Sequence, residues 1–172
     1  MCRAEQNKTE AASWINKLVA EIEKMTFAAE DGELYVSFHQ DLIVSEQQSP
    51  FTKVEELAEE QEFTEELNRL IKTKWTGTKR ALCEKAFLLE NTFYKIQAGR
   101  RLPGRNTVIC LALALGLKVK KTRHLLGYLG YGLCEHIKRD YIILRCLELG
   151  RTPLEVNLVL DKCGLSLLGP DE

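Results

Sequence analysis

The chain has 172 residues, of which 45% are hydrophobic, and a formal net charge of −1. This length suits one domain or a small domain with extensions, and the apolar content is sufficient for a core. No apolar run approaches the length that spans a membrane, and the first residues lack the apolar segment of a secretory signal. We therefore expect a cytoplasmic protein without a membrane partner.

The charges are distributed unevenly along the chain. Residues 1–70 carry a net charge of −10, residues 71–125 carry +11, and residues 126–172 carry −2. A segment as basic as the middle one is typical of a surface that binds phosphate groups or an acidic protein. The acidic first segment of the same chain is one candidate for such an acidic partner.

Cysteine and histidine spacing gives no sign of a metal site or of catalysis. The six cysteines form no C-x-x-C pair, and the spacing of Cys134 and His136 is not a known zinc pattern. The three histidines are scattered, and none forms an evident base–nucleophile pair. We predict free thiols, no metal, no cofactor and no enzymatic activity.

The N-terminal region, residues 1–48, begins with a predicted amphipathic helix. Apolar residues recur over Trp14–Met25 at steps of three and four, which gives one apolar stripe. Asp31-Gly32 is typical of a tight turn and Leu34–Phe38 alternates, so a short β-hairpin is predicted next. The polar segment 45–50 is the predicted boundary. We expect this region to serve oligomerisation or regulation.

The middle region, residues 49–131, contains a predicted helix-turn-helix at Lys79–Gly99. A capping-box pattern at Thr52–Glu55 and an apolar stripe from Phe63 to Ile71 predict the helical structure that precedes it. Within Lys79–Gly99, two short helices can cross over one small apolar cluster, formed by Leu82, Ala86, Leu88, Phe93 and Ile96. The apolar run 107–117 predicts a buried central helix, and residues 118–132 predict one more.

The C-terminal region, residues 132–172, predicts a helical extension packed on the middle region. One helix is expected from about Cys134 to Leu149, where apolar residues align on one face. Thr152 and Glu155 form a second capping-box pattern around a proline, which predicts a further helix that ends at Gly164. Overall, the sequence predicts a mainly α-helical fold.

Several positions between residues 63 and 131 follow the pattern of one known family. Apolar or small residues occupy the expected core positions of two short helices, a G-x-x-x-P loop follows at Gly99–Pro103, and an apolar helix follows at Thr107–Leu117. This run resembles the lambda-repressor-like, or Xre-type, helix-turn-helix family. The resemblance implies a five-helix domain and a bacterial or phage transcriptional regulator that binds double-stranded DNA as a homodimer.

The resemblance also implies which residues meet the DNA. The helix at 89–98 would enter the major groove, where Asn91 and Tyr94 are candidates for base contacts and Glu90 could accept a hydrogen bond from cytosine. Basic side chains would contact phosphates. The full set of predicted DNA-binding residues is Lys79, Arg80, Glu90, Asn91, Tyr94, Lys95, Arg100, Arg101 and Arg105.

Three features favour a different interpretation. Phe87 occupies the turn, where the family has glycine or asparagine, and this predicts a rebuilt turn. Leu89 and Glu90 make the start of the second helix more apolar and more acidic than a DNA reader requires. The basic residues could also form an ordinary solvated surface. The alternative function is therefore a helix-turn-helix scaffold that binds an acidic protein segment and little or no DNA.

Overall fold

The described part of this computed structural model is built from eight helices. The structure describes the backbone of residues 3–25, 27 and 50–169, and the side chains of residues 13–25, 27 and 60–169. In chain order the helices are α1 (Arg3–Ile22), α2 (Pro50–Lys74), α3 (Lys79–Lys85), α4 (Glu90–Gln97), α5 (Arg105–Ala114), α6 (Val119–Gly127), α7 (Lys138–Glu148) and α8 (Pro153–Lys162). The predicted mainly α-helical class is confirmed. The predicted hairpin around Asp31–Phe38 lies outside the described residues.

One hydrophobic core joins described residues from all three predicted regions. Ile22 of α1, Phe63 of α2, Phe93 of α4 and Ile142 of α7 are almost completely buried in it. Helix α1 packs on α8, and α8 in turn packs on α7 and α5. The N-terminal helix and the C-terminal extension therefore share their core with the helices between them.

The turn between α3 and α4 is formed by Phe87 in a left-handed conformation. Its φ of 57° makes it the one non-glycine residue with positive φ among the described residues. The following amide of Leu88 donates to the carbonyl of Cys83 at 2.9 Å, which closes the end of α3. The sequence predicts a rebuilt turn, but Phe87 itself adopts the strained conformation. Its partly buried ring packs against the core, which offsets a cost of about 1–2 kcal/mol.

A buried ion pair fixes the C-terminal region to the start of α5. The Asp140 side chain is 3% exposed, and its Oδ2 accepts hydrogen bonds from the Arg105 guanidinium at 2.5 Å and from the Cys134 amide at 3.0 Å. The same guanidinium donates to the carbonyl of Gly132. Asp140 thus holds both the first residue of α5 and the loop that precedes α7.

The second predicted capping box is present at the start of α8. The Thr152 hydroxyl accepts from the Glu155 amide at 3.4 Å, and the Glu155 carboxylate accepts from the Thr152 amide at 2.8 Å. The first box, at Thr52–Glu55, lies within α2, which begins earlier at Pro50, and the side chains there are outside the described set. Helix α2 then continues without a break to Lys74.

Burial predicts which cysteines react with alkylating agents. Burial raises the pKa of the Cys146 thiol to about 12, and it also raises the pKa of Cys83, with a further contribution from Glu90. Because the thiolate is the reactive form, we expect iodoacetamide at pH 8 to label half-buried Cys134 well before Cys83 and Cys146. Peptide mass spectrometry of briefly labelled protein measures the order, and labelling in denaturant provides the control. Equal rates at all three thiols would contradict the packing described here.

Candidate nucleic-acid interface

Helices α3 and α4 present one exposed polar face opposite the side that enters the core. In α4, Phe93 and Ile96 are buried, whereas Glu90, Asn91, Tyr94 and Lys95 are exposed. This division follows from the helical period, since residues three apart lie on the same face. We call the exposed side chains of α3 and α4, with Leu89 and the loop 99–104, the α3–α4 face.

Lys79 and Tyr94 link the two helices on this face. The Lys79 Nζ donates to Oε1 of Gln97 at 2.7 Å and lies 5.2 Å from the centre of the Tyr94 ring. Gln97 is also bonded to α2, because its backbone carbonyl accepts a hydrogen bond from the Asn68 side chain at 3.1 Å. The Tyr94 ring also makes an edge contact with Phe93. A cation over an aromatic face is attracted to it, so Lys79 helps to fix the position of Tyr94.

Arg80 lies between two carboxylates. Its Nε is 3.1 Å from Glu84 on the same helix and 3.8 Å from Glu90 at the start of α4. The hydrogen bond to Glu84, followed by the charges of Glu84 and Glu90, raises the pKa of Arg80. Glu90 also occupies the first turn of α4, where a negative charge is favourable. Glu90 therefore pairs with Arg80 and also stabilises the start of α4.

Three basic side chains at the end of α4 remain available to a ligand. Lys95, Arg100 and Arg101 are exposed and form no ion pair or side-chain hydrogen bond with any residue that the structure describes. Gly99, with a φ of 66°, ends the helix, and the Arg100 amide donates to the Lys95 carbonyl at 2.8 Å. This closed turn places the two arginines directly beyond the last turn of α4.

Arg105 differs from the other predicted DNA-binding residues. Its side chain is 24% exposed, and its guanidinium bonds to Asp140 and Gly132, which belong to the C-terminal extension. A phosphate contact would require these bonds to break. Arg105 therefore has a structural role that the sequence pattern does not reveal. The other predicted DNA-binding residues lie on the α3–α4 face: Lys79, Arg80, Glu90, Asn91, Tyr94, Lys95, Arg100 and Arg101.

Leu89 is a feature of the face that the list of predicted contacts leaves out. It is 77% exposed, more than any other large hydrophobic side chain in the described ranges. It occupies the N-cap position of α4, and its side chain provides no capping hydrogen bond. The sequence places Leu89 at the start of the second helix, but only the structure shows how exposed its side chain is.

The described residues offer neither a metal centre nor a membrane-spanning helix. No group of three or more histidine, cysteine, aspartate or glutamate side chains in the described ranges could hold a metal ion. None of the described helices combines the length and the apolar character that crossing a membrane requires. The α3–α4 face is thus the strongest candidate for a functional surface.

No protein-family model, no curated protein and no solved structure matches this chain.

Proposed function

We propose that this protein is a transcriptional regulator that binds duplex DNA through the α3–α4 face. Helix α4 would enter the major groove, with Asn91 and Tyr94 toward the base edges, while α3 and the loop 99–104 contact phosphates. The observation that carries the proposal is the group of exposed, unpaired cations at the end of α4, namely Lys95, Arg100 and Arg101, within the described part of the chain.

The charge distribution supports the same function. Because residues 71–125 carry a net charge of +11, an approaching polyanion is attracted to this part of the chain although the whole chain is close to neutral. The resemblance to lambda-repressor-like proteins adds the expectation of a homodimer. Two copies of α4 would then contact half-sites one helical turn of DNA apart.

The direct test is binding of the full chain to a labelled duplex of random sequence at two salt concentrations. Five basic residues per copy lie on the proposed DNA-binding face, so the affinity of a single bound copy should fall on the order of 10³-fold between 50 and 200 mM salt, and that of a dimer on the order of 10⁵-fold. Fluorescence anisotropy measures both affinities, and a polyanion such as heparin serves as a competitor. Absence of binding to any duplex at 50 mM salt would contradict the proposal.

A second candidate function is a protein-binding scaffold whose α3–α4 face receives an acidic segment. The observation that favours it is the pairing of Arg80 with Glu84 and Glu90, which shows that carboxylates are accommodated on this face. Glu21 of α1 is poorly placed for this role. Helix α1 packs on α8, and Glu21 lies 3.8 Å from Arg145 of α7.

The two candidates are separated by neutralising the acidic segment between α1 and α2. Deleting the N-terminal region is unsuitable, because Ile15, Leu18 and Ile22 belong to the core. A full-length variant with five neutral replacements avoids this problem: Glu30→Gln, Asp31→Asn, Glu33→Gln, Asp41→Asn and Glu46→Gln. Tighter DNA binding by this variant than by the wild type would mean that the segment competes with DNA for the face. Absence of binding by both would favour the scaffold.

A further inference from the structure

We infer that Leu89 reads the 5-methyl group of thymine in the major groove, an inference that rests on the proposed DNA-binding function. The methyl group is the one apolar feature on the major-groove edge of the four bases, and an apolar side chain is its natural partner. Leu89 precedes Glu90 at the start of α4, and the N-terminal residues of a recognition helix are those that meet base edges.

The leucine side chain at this position neither caps α4 nor is buried in the core. An N-cap residue normally supplies an oxygen to a free amide, as Thr78 does for α3 and Thr152 does for α8. Leu89 supplies none, as is also true of the N-cap residues of α5, α6 and α7, but Leu89 differs from them as a large apolar side chain that is 77% exposed. The other branched apolar N-cap residue, Ile137 of α7, is half-buried. A large apolar side chain that stays exposed at the start of a helix gains no packing energy there, and such a position is compatible with a functional role.

The surroundings of Leu89 favour a base contact over association with another apolar surface. Of the four side chains of α4 on this face, Glu90, Asn91 and Lys95 are charged or polar and exposed, and Tyr94 is the one aromatic side chain, at 47% exposure. A protein interface centred on Leu89 would have few apolar neighbours to bury on α4, whereas a base edge offers a single methyl group beside polar atoms. Asn91 lies two residues beyond Leu89 and is suited to adenine, so the pair favours A·T base pairs.

The test uses the full chain and duplexes that the wild type selects from a random pool. Each selected duplex is made once with thymine and once with deoxyuridine, which lacks the 5-methyl group but keeps the same hydrogen-bonding atoms. Burial of one methyl group is worth about a fourfold change in affinity, so we expect the wild type to bind each deoxyuridine duplex about fourfold more weakly per contacted methyl group. Leu89→Ala should bind the thymine duplex about fourfold more weakly than the wild type does, and it should bind the two duplexes equally well.

The control is Leu154→Ala on α8, which truncates a leucine that is also well exposed, at 62%, but lies on the C-terminal extension. This variant should discriminate between thymine and deoxyuridine as the wild type does. Equal discrimination by Leu89→Ala would overturn the inference, and so would equal affinity of the wild type for both duplexes, while the proposed function would stand in either case. Failure of the wild type to select any duplex would overturn the proposed function and the inference with it.

Discussion

Replacing Asp140 with alanine should lower the free energy of unfolding by about 3 kcal/mol, because it leaves the charge of the Arg105 guanidinium without its carboxylate partner in a largely buried site. The Asp140 side chain is 3% exposed and that of Arg105 is 24% exposed. The Cys134 amide also loses its acceptor. We take the lower end of the usual range because the partly exposed guanidinium can turn toward water. Urea denaturation followed by circular dichroism measures the change.

A matched control is provided by another arginine–carboxylate pair on the surface. Arg123 and Glu135 are 2.7 Å apart, but their side chains are 43% and 65% exposed. Exposed pairs contribute between zero and about 1 kcal/mol, so Glu135→Ala should change stability by less than that amount. If both alanine variants lose the same small free energy, the Asp140 pair does not hold the extension to α5.

A double variant separates the ion pair from the general cost of changing a buried residue. With Arg105→Met added to Asp140→Ala, the uncompensated charge is gone, so the double variant should be more stable than the sum of the single effects predicts. Residues in direct contact commonly show coupling energies of about 0.5–3 kcal/mol. Strict additivity of the two changes would argue against a direct pair.

The helices could be predicted from the sequence because their signals are local. The steps between Leu82, Ala86, Phe93 and Ile96 specify the buried sides of α3 and α4 without knowledge of what covers them. The role of Asp140 could not be predicted in this way. Its partner, Arg105, lies 35 residues earlier, and an isolated aspartate in the first turn of a helix reads as an ordinary solvated residue.

In the candidate site, too, the sequence shows which residues are charged but not which of them are paired. The basic stretch around Arg100 and Arg101 is evident from the sequence, but the sequence does not say which cations are already paired. Arg105 belongs to the same run of basic residues but is already paired with Asp140. At Phe87 the sequence suggests that the family's turn is lost, but the turn is present. Phe87 adopts a positive φ there, and its ring packs against the core.

Neutralising Lys95, Arg100 and Arg101 together to glutamine should weaken DNA binding by roughly two orders of magnitude or more at 100 mM salt. Each phosphate contact contributes about 0.9 to the slope of log affinity against log salt, so the slope should fall by about 2.7 per copy. Stability should hardly change, because these three side chains are exposed and have no described partner. Anisotropy titrations at four salt concentrations measure the affinity and the slope together.

The control variant removes the same charge from elsewhere in the chain. Lys8, Lys17 and Lys24 lie on or directly after α1, which packs on the C-terminal helix α8. Their replacement by glutamine changes the net charge equally but leaves the α3–α4 face intact. A loss confined to the first variant locates the phosphate contacts at the end of α4. Equal losses in both would mean that net charge alone drives binding, and the assignment of this face to DNA would then be wrong.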